Sequence, residues 1–131
     1  MLQVRHAMKT HPFTVPHDAS VTETAQTMIT AGIDTIVVTK KEEILGTVTS
    51  NDVLRYTYTA DFNPAKTTVE KITNEDIMLA RPNTSLADVR DIFTESNINT
   101  LPVVDKELVG YITLRDMIRV QPKQEAAKIS T

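Results

Sequence analysis

The feature that most constrains this chain is that it is written twice. The segment SVTETAQTMITAGIDTIVV, starting at Ser20, lies over SLADVRDIFTESNINTLPV, starting at Ser85, at an offset of 65. The segment GTVTSNDVLR from Gly46 lies over GYITLRDMIR from Gly110 at an offset of 64, so one residue is lost between the two matches. The loss falls where Lys40 to Glu43 (KKEE) faces Asp105 to Glu107 (DKE), polar runs between apolar stretches, where a change of length is tolerated. A duplication of this size sets the architecture, because each copy is too small to bury a comfortable core alone and the two must pack together.

Each copy carries the same local signals. Ser20 with Glu23 reads as a capping box, and Val21, Ala25, Met28 and Ile29 recur at helical spacing behind it. Ser85 with Asp88, followed by Leu86, Val89 and Phe93, repeats the pattern. Gly32 and Asn97 stand at the same place in the two copies, and both residue types readily take the left-handed conformation that ends a helix. Strands are expected over Thr35 to Thr39 and Leu101 to Val104, then Ile44 to Val48 and Leu108 to Ile112, with Pro102 at a sheet edge. A short second helix follows each hairpin, near Ser50 to Tyr56 and Leu114 to Arg119, and short strands precede each unit at Phe13 to Val15 and Ile77 to Ala80. The expected fold class is α+β (mixed α/β), two tandem β-α-β-β-α repeats packed with pseudo-twofold symmetry. The expected divisions are repeat 1 over 1–60, a polar linker over 61–68, repeat 2 over 69–120 and a polar tail over 121–131.

Composition excludes several functions. Three glycines, Gly32, Gly46 and Gly110, cannot build a Walker loop or a GxGxxG fingerprint. With no cysteine there is neither a disulfide nor a thiolate metal site, and His6, His11 and His17 are spaced as solvated side chains rather than as a metal trio. A net charge of −3 with no basic block argues against nucleic-acid binding. No apolar run approaches the roughly 18 residues of a membrane span, so a cytoplasmic protein without membrane contact is expected. The motif Thr49-x-x-Asp52, repeated as Thr113-x-x-Asp116, pairs each carboxylate with a threonine rather than with a second acid or a histidine, so no general acid/base couple is evident and no catalytic residue is assigned. The same spelling is that of a helix cap.

The duplicated G-x-x-T-x-x-D, at Gly46 to Asp52 and Gly110 to Asp116, together with Ile98-Asn99-Thr100-Leu101-Pro102-Val103-Val104-Asp105, resembles the CBS domain pair, or Bateman module, over almost the whole chain from Val4 to Arg119. The resemblance implies a regulatory sensor of adenosine derivatives (AMP, ADP, ATP or S-adenosylmethionine) with no obligatory cofactor, acting on a separate regulated protein. The alternative is a dimerisation or interaction scaffold with unliganded clefts. By position, the resemblance assigns Thr47, Thr49, Asp52, Thr73, Met78, Ile98, Asn99 and Thr100 to a first site. It assigns Met8, Phe13, Ile33, Asp34, Thr35, Tyr111, Thr113, Arg115 and Asp116 to a second. A carboxylate can accept both ribose hydroxyls, and a threonine at a helix start sits where a phosphate is favoured. Arg115, against the neutral Asn51, predicts that the second site prefers a phosphorylated ligand, with Asp34 as a counterweight. The resemblance further implies a homodimer through the short second helices, with Val53, Leu54, Met117 and Ile118 as its apolar contact.

Overall fold

A computed structural model describes residues 1–10, 13–59 and 61–120. His11 and the polar tail expected over 121–131 lie outside the described residues. Strand β1 (Thr14–Pro16) is followed by helix α1 (Val21–Ala31), strands β2 (Thr35–Lys40) and β3 (Glu43–Thr49), and helix α2 (Ser50–Thr57). The second copy gives α3 (Leu86–Ser96), β4 (Thr100–Asp105), β5 (Glu107–Thr113) and α4 (Leu114–Arg119). A single 3-10 turn precedes each copy, at Val4–His6 and Val69–Ile72. The mixed α/β repeats expected from the sequence are present.

Helices α1 and α3 begin where the serine caps are placed: Ser20 Oγ accepts from Glu23 N–H at 3.0 Å and Ser85 Oγ from Asp88 N–H at 3.1 Å. The Glu23 carboxylate accepts the Ser20 hydroxyl at 3.2 Å instead of returning to its backbone, so the first expected box is only half formed. Gly32 and Asn97 end the helices in the left-handed conformation, at φ of 69° and 55°. Along α1 the buried stripe is Val21, Thr24 and Met28, while Ile29, expected inside, is 80% exposed. Thr24 can replace it because its hydroxyl donates to Ser20 O at 2.9 Å and so enters the core already satisfied.

The two hairpins explain the missing residue. Lys41 and Glu42 both have positive φ between β2 and β3, the signature of a two-residue hairpin turn, whereas Lys106 alone turns β4 into β5. The strands then pair in the same register, Thr35 with Thr49 and Thr100 with Thr113, and both ladders shift at the same step, Val38/Thr39 and Val103/Val104.

On the outer side of the hairpins the copies diverge. β1 pairs in parallel with β2 over three residues, and His17 N–H extends the ladder to Thr39 O at 2.8 Å. The strand expected over Ile77 to Ala80 shrinks to one bridge between Ala80 and Val103. Two prolines are the reason. Pro102, in the register of Val37, has no N–H to give, and Pro82, in the register of His17, has none at the other end. The orphaned Val104 carbonyl instead accepts from the Arg81 guanidinium at 3.3 Å.

The chain forms two compact units, and they do not divide it as the repeats do. One comprises the described residues of Met1–His11 and of Ala80–Thr131; the other comprises those of Pro12–Leu79. The opening turn of the first repeat therefore packs on the strands of the second, and that of the second on the strands of the first. Val4, fully buried, belongs to the core of Val89, Leu101, Val103 and Ile112. Val69, equally buried, belongs to that of Val21, Ile36, Val38 and Val48. The segment 61–68, expected as a linker, is fastened to its unit: Phe62 packs on that core and lies 6.3 Å from the Tyr56 ring.

Candidate functional site

Each Thr-x-x-Asp motif folds as a reciprocal cap. Thr49 Oγ1 accepts from Asp52 N–H at 3.1 Å while Thr49 N–H donates to Asp52 Oδ2 at 2.9 Å. Thr113 and Asp116 repeat this at 3.2 and 2.9 Å. The first N–H of each helix is also taken, Ser50 by Asp34 O at 2.9 Å and Leu114 by Asn99 O at 3.0 Å. Two of the donors on which an anion at these helix starts would rely are thus occupied by the chain itself. What the caps leave over is the second carboxylate oxygen. Asp52 Oδ1 lies 3.5 Å from the Arg55 guanidinium and Asp116 Oδ1 lies 3.9 Å from Lys9 Nζ.

The two carboxylates sit in different surroundings. The Asp116 side chain is 2% exposed and Asp52 17%. Arg55 belongs to the same helix as Asp52, but Lys9 arrives from the segment that bridges Tyr111, with Lys9 N–H on Tyr111 O at 2.9 Å and Tyr111 N–H on Lys9 O at 3.0 Å. Thr47 and Asn74 make the equivalent pair of bonds, both at 2.9 Å, in the other unit.

These bridges explain Gly46 and Gly110. A Cβ on Gly46 would overlap Asn74 O and the Thr73 methyl, and one on Gly110 would overlap Lys9 O. The glycines permit a second backbone to lie against the strand.

The unit built on β2 and β3 holds, from the first predicted set, Thr47, Thr49, Asp52, Thr73 and Met78, and from the second Phe13, Ile33, Asp34 and Thr35. Thr35 faces Thr49 across the hairpin and donates to Asp34 Oδ1 at 3.4 Å. Thr35 and Thr47 are buried, whereas Phe13 and Met78 keep about two-fifths of their surface exposed, at 39% and 44%. The unit built on β4 and β5 holds Ile98, Asn99 and Thr100 from the first set, and Met8, Tyr111, Thr113, Arg115 and Asp116 from the second. There Thr100 faces Thr113, Tyr111 is buried beside Pro102, and Arg115 is exposed. A recess of about 300 Å³ lined by Arg5, Arg81, Pro82, Asn83 and Asp105 includes none of the predicted residues. Lys9 is the charged neighbour that sequence reasoning missed; extending the repeat upstream, Val4 to Lys9 over Val69 to Asn74 at the same offset of 65, would have exposed it.

The two described histidines, His6 and His17, serve locally. His6 Nδ1 accepts from Gln3 N–H at 2.9 Å, and His17 lies 3.5 Å from Glu70, which also pairs with Lys40 at 2.8 Å. The Lys40 ammonium, bonded to Glu70, holds that carboxyl below its ordinary range, and Glu70 raises Lys40 in return. Among the described residues no helix is long and apolar enough to cross a membrane.

The profile of the CBS domain matches residues 4–58 and again 69–123, the two copies in tandem. The chain belongs to the CBS domain family. Among curated proteins it is 29% identical to the CBS domain-containing protein YhcV of Bacillus subtilis, over 97% of this chain and 91% of that one. It is 31% identical to an inosine-5'-monophosphate dehydrogenase of Aquifex aeolicus, over 90% of this chain but 24% of the enzyme. Two solved CBS structures share its fold at 24% identity. NE2398 superposes with a TM-score of 0.81 over 90% of this chain and 95% of its own. The CBS pair of MJ0100, in complex with 5'-methylthioadenosine and S-adenosyl-L-methionine, superposes with a TM-score of 0.78 over 92% and 95%.

Proposed function

We propose that this CBS pair is a regulatory module that binds an adenosine-containing ligand and acts on a separate protein, without chemistry of its own. The observation that carries this reading is the pair of caps: each spends one aspartate oxygen on a threonine N–H and keeps the other, with no hydrogen bond shorter than 3.5 Å upon it among the described residues. An acceptor of that kind suits two ribose hydroxyls. The adenosine class is supported by the methylthioadenosine and S-adenosylmethionine bound to the MJ0100 pair, and the modular role by the likeness to a quarter of a larger enzyme. AMP, ADP and ATP are the members of that class that would make it a sensor of energy state. In the unit built on β2 and β3 the proposed ligand contacts are Thr47, Thr49, Asp52, Thr73 and Met78, with Phe13, Ile33, Asp34 and Thr35. In the unit built on β4 and β5 they are Ile98, Asn99 and Thr100, with Met8, Tyr111, Thr113, Arg115 and Asp116.

A homodimer in the cytoplasm completes the reading, its apolar contact drawn from Leu54 and Ile118, each 59% exposed. Met117 is 6% exposed and belongs to the core, and Val53 packs against the core, so neither is part of that surface.

Thermal unfolding with AMP, ADP, ATP and S-adenosylmethionine tests the proposal. A ligand at a hundredfold its dissociation constant adds about 2.7 kcal/mol, a rise in midpoint of roughly 10 °C for a domain of this size. Asp52→Asn and Asp116→Asn should reduce the rise, since asparagine still accepts from the threonine N–H but replaces the remaining acceptor with a donor. No rise with any of the four would overturn the reading in favour of a scaffold with unliganded clefts.

A further inference from the structure

Taking a carboxylate out of water is costly unless its charge is met. The Asp116 side chain is 2% exposed, and its Oδ2 is met by Thr113 N–H. The charge opposite Oδ1 is Lys9 Nζ, at 3.9 Å, which is an ion pair too long to be a hydrogen bond. The Lys9 backbone is pinned to β5 by its two bonds with Tyr111, and its side chain, 51% exposed, reaches Asp116 from that fixed root. In the other unit the corresponding residue is the uncharged Asn74, and among the described residues the cation paired with the Asp52 carboxylate is Arg55 of its own helix. The repeat has thus placed a cation from outside the helix on one of its two carboxylates.

Resting on the reading that these aspartates hold ribose, we propose that Lys9 is the specificity-determining residue at Asp116, selecting adenosine derivatives that carry a phosphate over those that do not. Ribose hydroxyls that bond to Asp116 Oδ1 take the oxygen that Lys9 faces. A neutral ligand leaves the displaced ammonium to water, whereas a phosphate gives it a charge-assisted partner. Asp52, with no counterpart of Lys9, makes no such choice. Arg115, exposed on the first turn of α4, is the competing candidate for this role.

The test uses the full chain carrying Asp52→Asn, so that Asp116 holds the remaining site, and titrates adenosine and AMP by calorimetry. In this background Lys9→Gln should lower the ratio of AMP to adenosine affinity about tenfold, the worth of one charge-assisted contact. Lys9→Arg should keep the ratio, and Arg115→Gln should lower it less than Lys9→Gln does; a larger loss in Arg115→Gln overturns the assignment to Lys9. The Lys9–Tyr111 bridge is made by backbone and survives every variant, so Lys9→Arg should melt as the parent does, while Lys9→Gln, which leaves the buried Asp116 carboxylate without its cation, should melt lower yet still fold. An unchanged ratio in Lys9→Gln overturns the proposal and leaves the adenosine reading intact, as does binding that the Asp52→Asn change abolishes altogether. Failure of the unaltered chain to bind either compound overturns both.

Discussion

Gly46 and Gly110 look in the sequence like residues of a ligand motif, and the structure gives them a mechanical task as well. Each lies under a crossing backbone, and a methyl group would have to push Asn74 or Lys9 off its strand. Gly46→Ala and Gly110→Ala should each cost about 1–3 kcal/mol, seen as a lower urea midpoint; a loss below about 0.5 kcal/mol, the range of neutral surface changes, would show that the bridges yield without strain. The aspartates are read in the same way. Asp116→Ala removes a helix cap together with the candidate ribose acceptor and should lose about 1 kcal/mol, whereas Asp116→Asn keeps the cap and should melt within a degree or two of the parent. Only the asparagine variant therefore separates binding from folding. Both spellings of the motif, cap and ligand site, were legible from the chain. That the cap consumes one oxygen and spares the other was not, because a sequence does not say which atom a carboxylate presents.

Helix boundaries, left-handed ends and hairpins followed the sequence because each depends on residues within four positions of one another. Elements held by distant partners followed it less well. Ile29 fits the stripe of α1 by spacing yet lies outside, since the hydroxyl of Thr24 folds back on its own helix and claims the buried place. The strand expected at Ile77 to Ala80 is cut to a bridge by prolines on both sides of the ladder. Charge at the same register is also element-specific: Lys40 pairs with Glu70 in one unit, while Asp105 and Arg5 stand at those positions in the other. Glu70 is held below its ordinary value by Lys40, so its contribution to stability exists above the unfolded carboxyl value and fades as pH falls through the folded one. Lys40 is raised, so its share fades only as pH climbs through the lysine range. Both groups are solvent-exposed and the effect is small. The midpoint of Glu70→Gln should lie slightly below that of the parent at neutral pH and converge with it as pH falls through the lowered folded carboxyl value; a constant gap would assign the difference to something other than the ion pair.

At the scale of the molecule the two repeats are not two folding units. The turn at Val4–His6 completes the core under β4 and β5, and the turn at Val69–Ile72 completes the core under β2 and β3. Val4→Ala should cost about 2 kcal/mol, read as a lower urea midpoint, because Val4 is fully buried in the core under β4 and β5. Removal of residues 1–9 should go further, deleting Val4 and the Lys9 bridge together. Hydrogen exchange should then find protection lost in β4 and β5 before β2 and β3; uniform protection would show that the opening segment is dispensable.

The sequence by itself determined the duplication, the elements within each copy, the caps and turns that bound them, and the family whose profile the chain matches, since all of these are written in residue types at short spacing. The tertiary structure alone decided the exchange of opening turns between the repeats, the crossing backbones that require Gly46 and Gly110, and the meeting of Lys9 with Asp116. The physical reason is separation. Lys9 and Asp116 stand more than a hundred positions apart in the chain, and their contact exists only because burying Val4 in a core it does not adjoin in sequence brings them together.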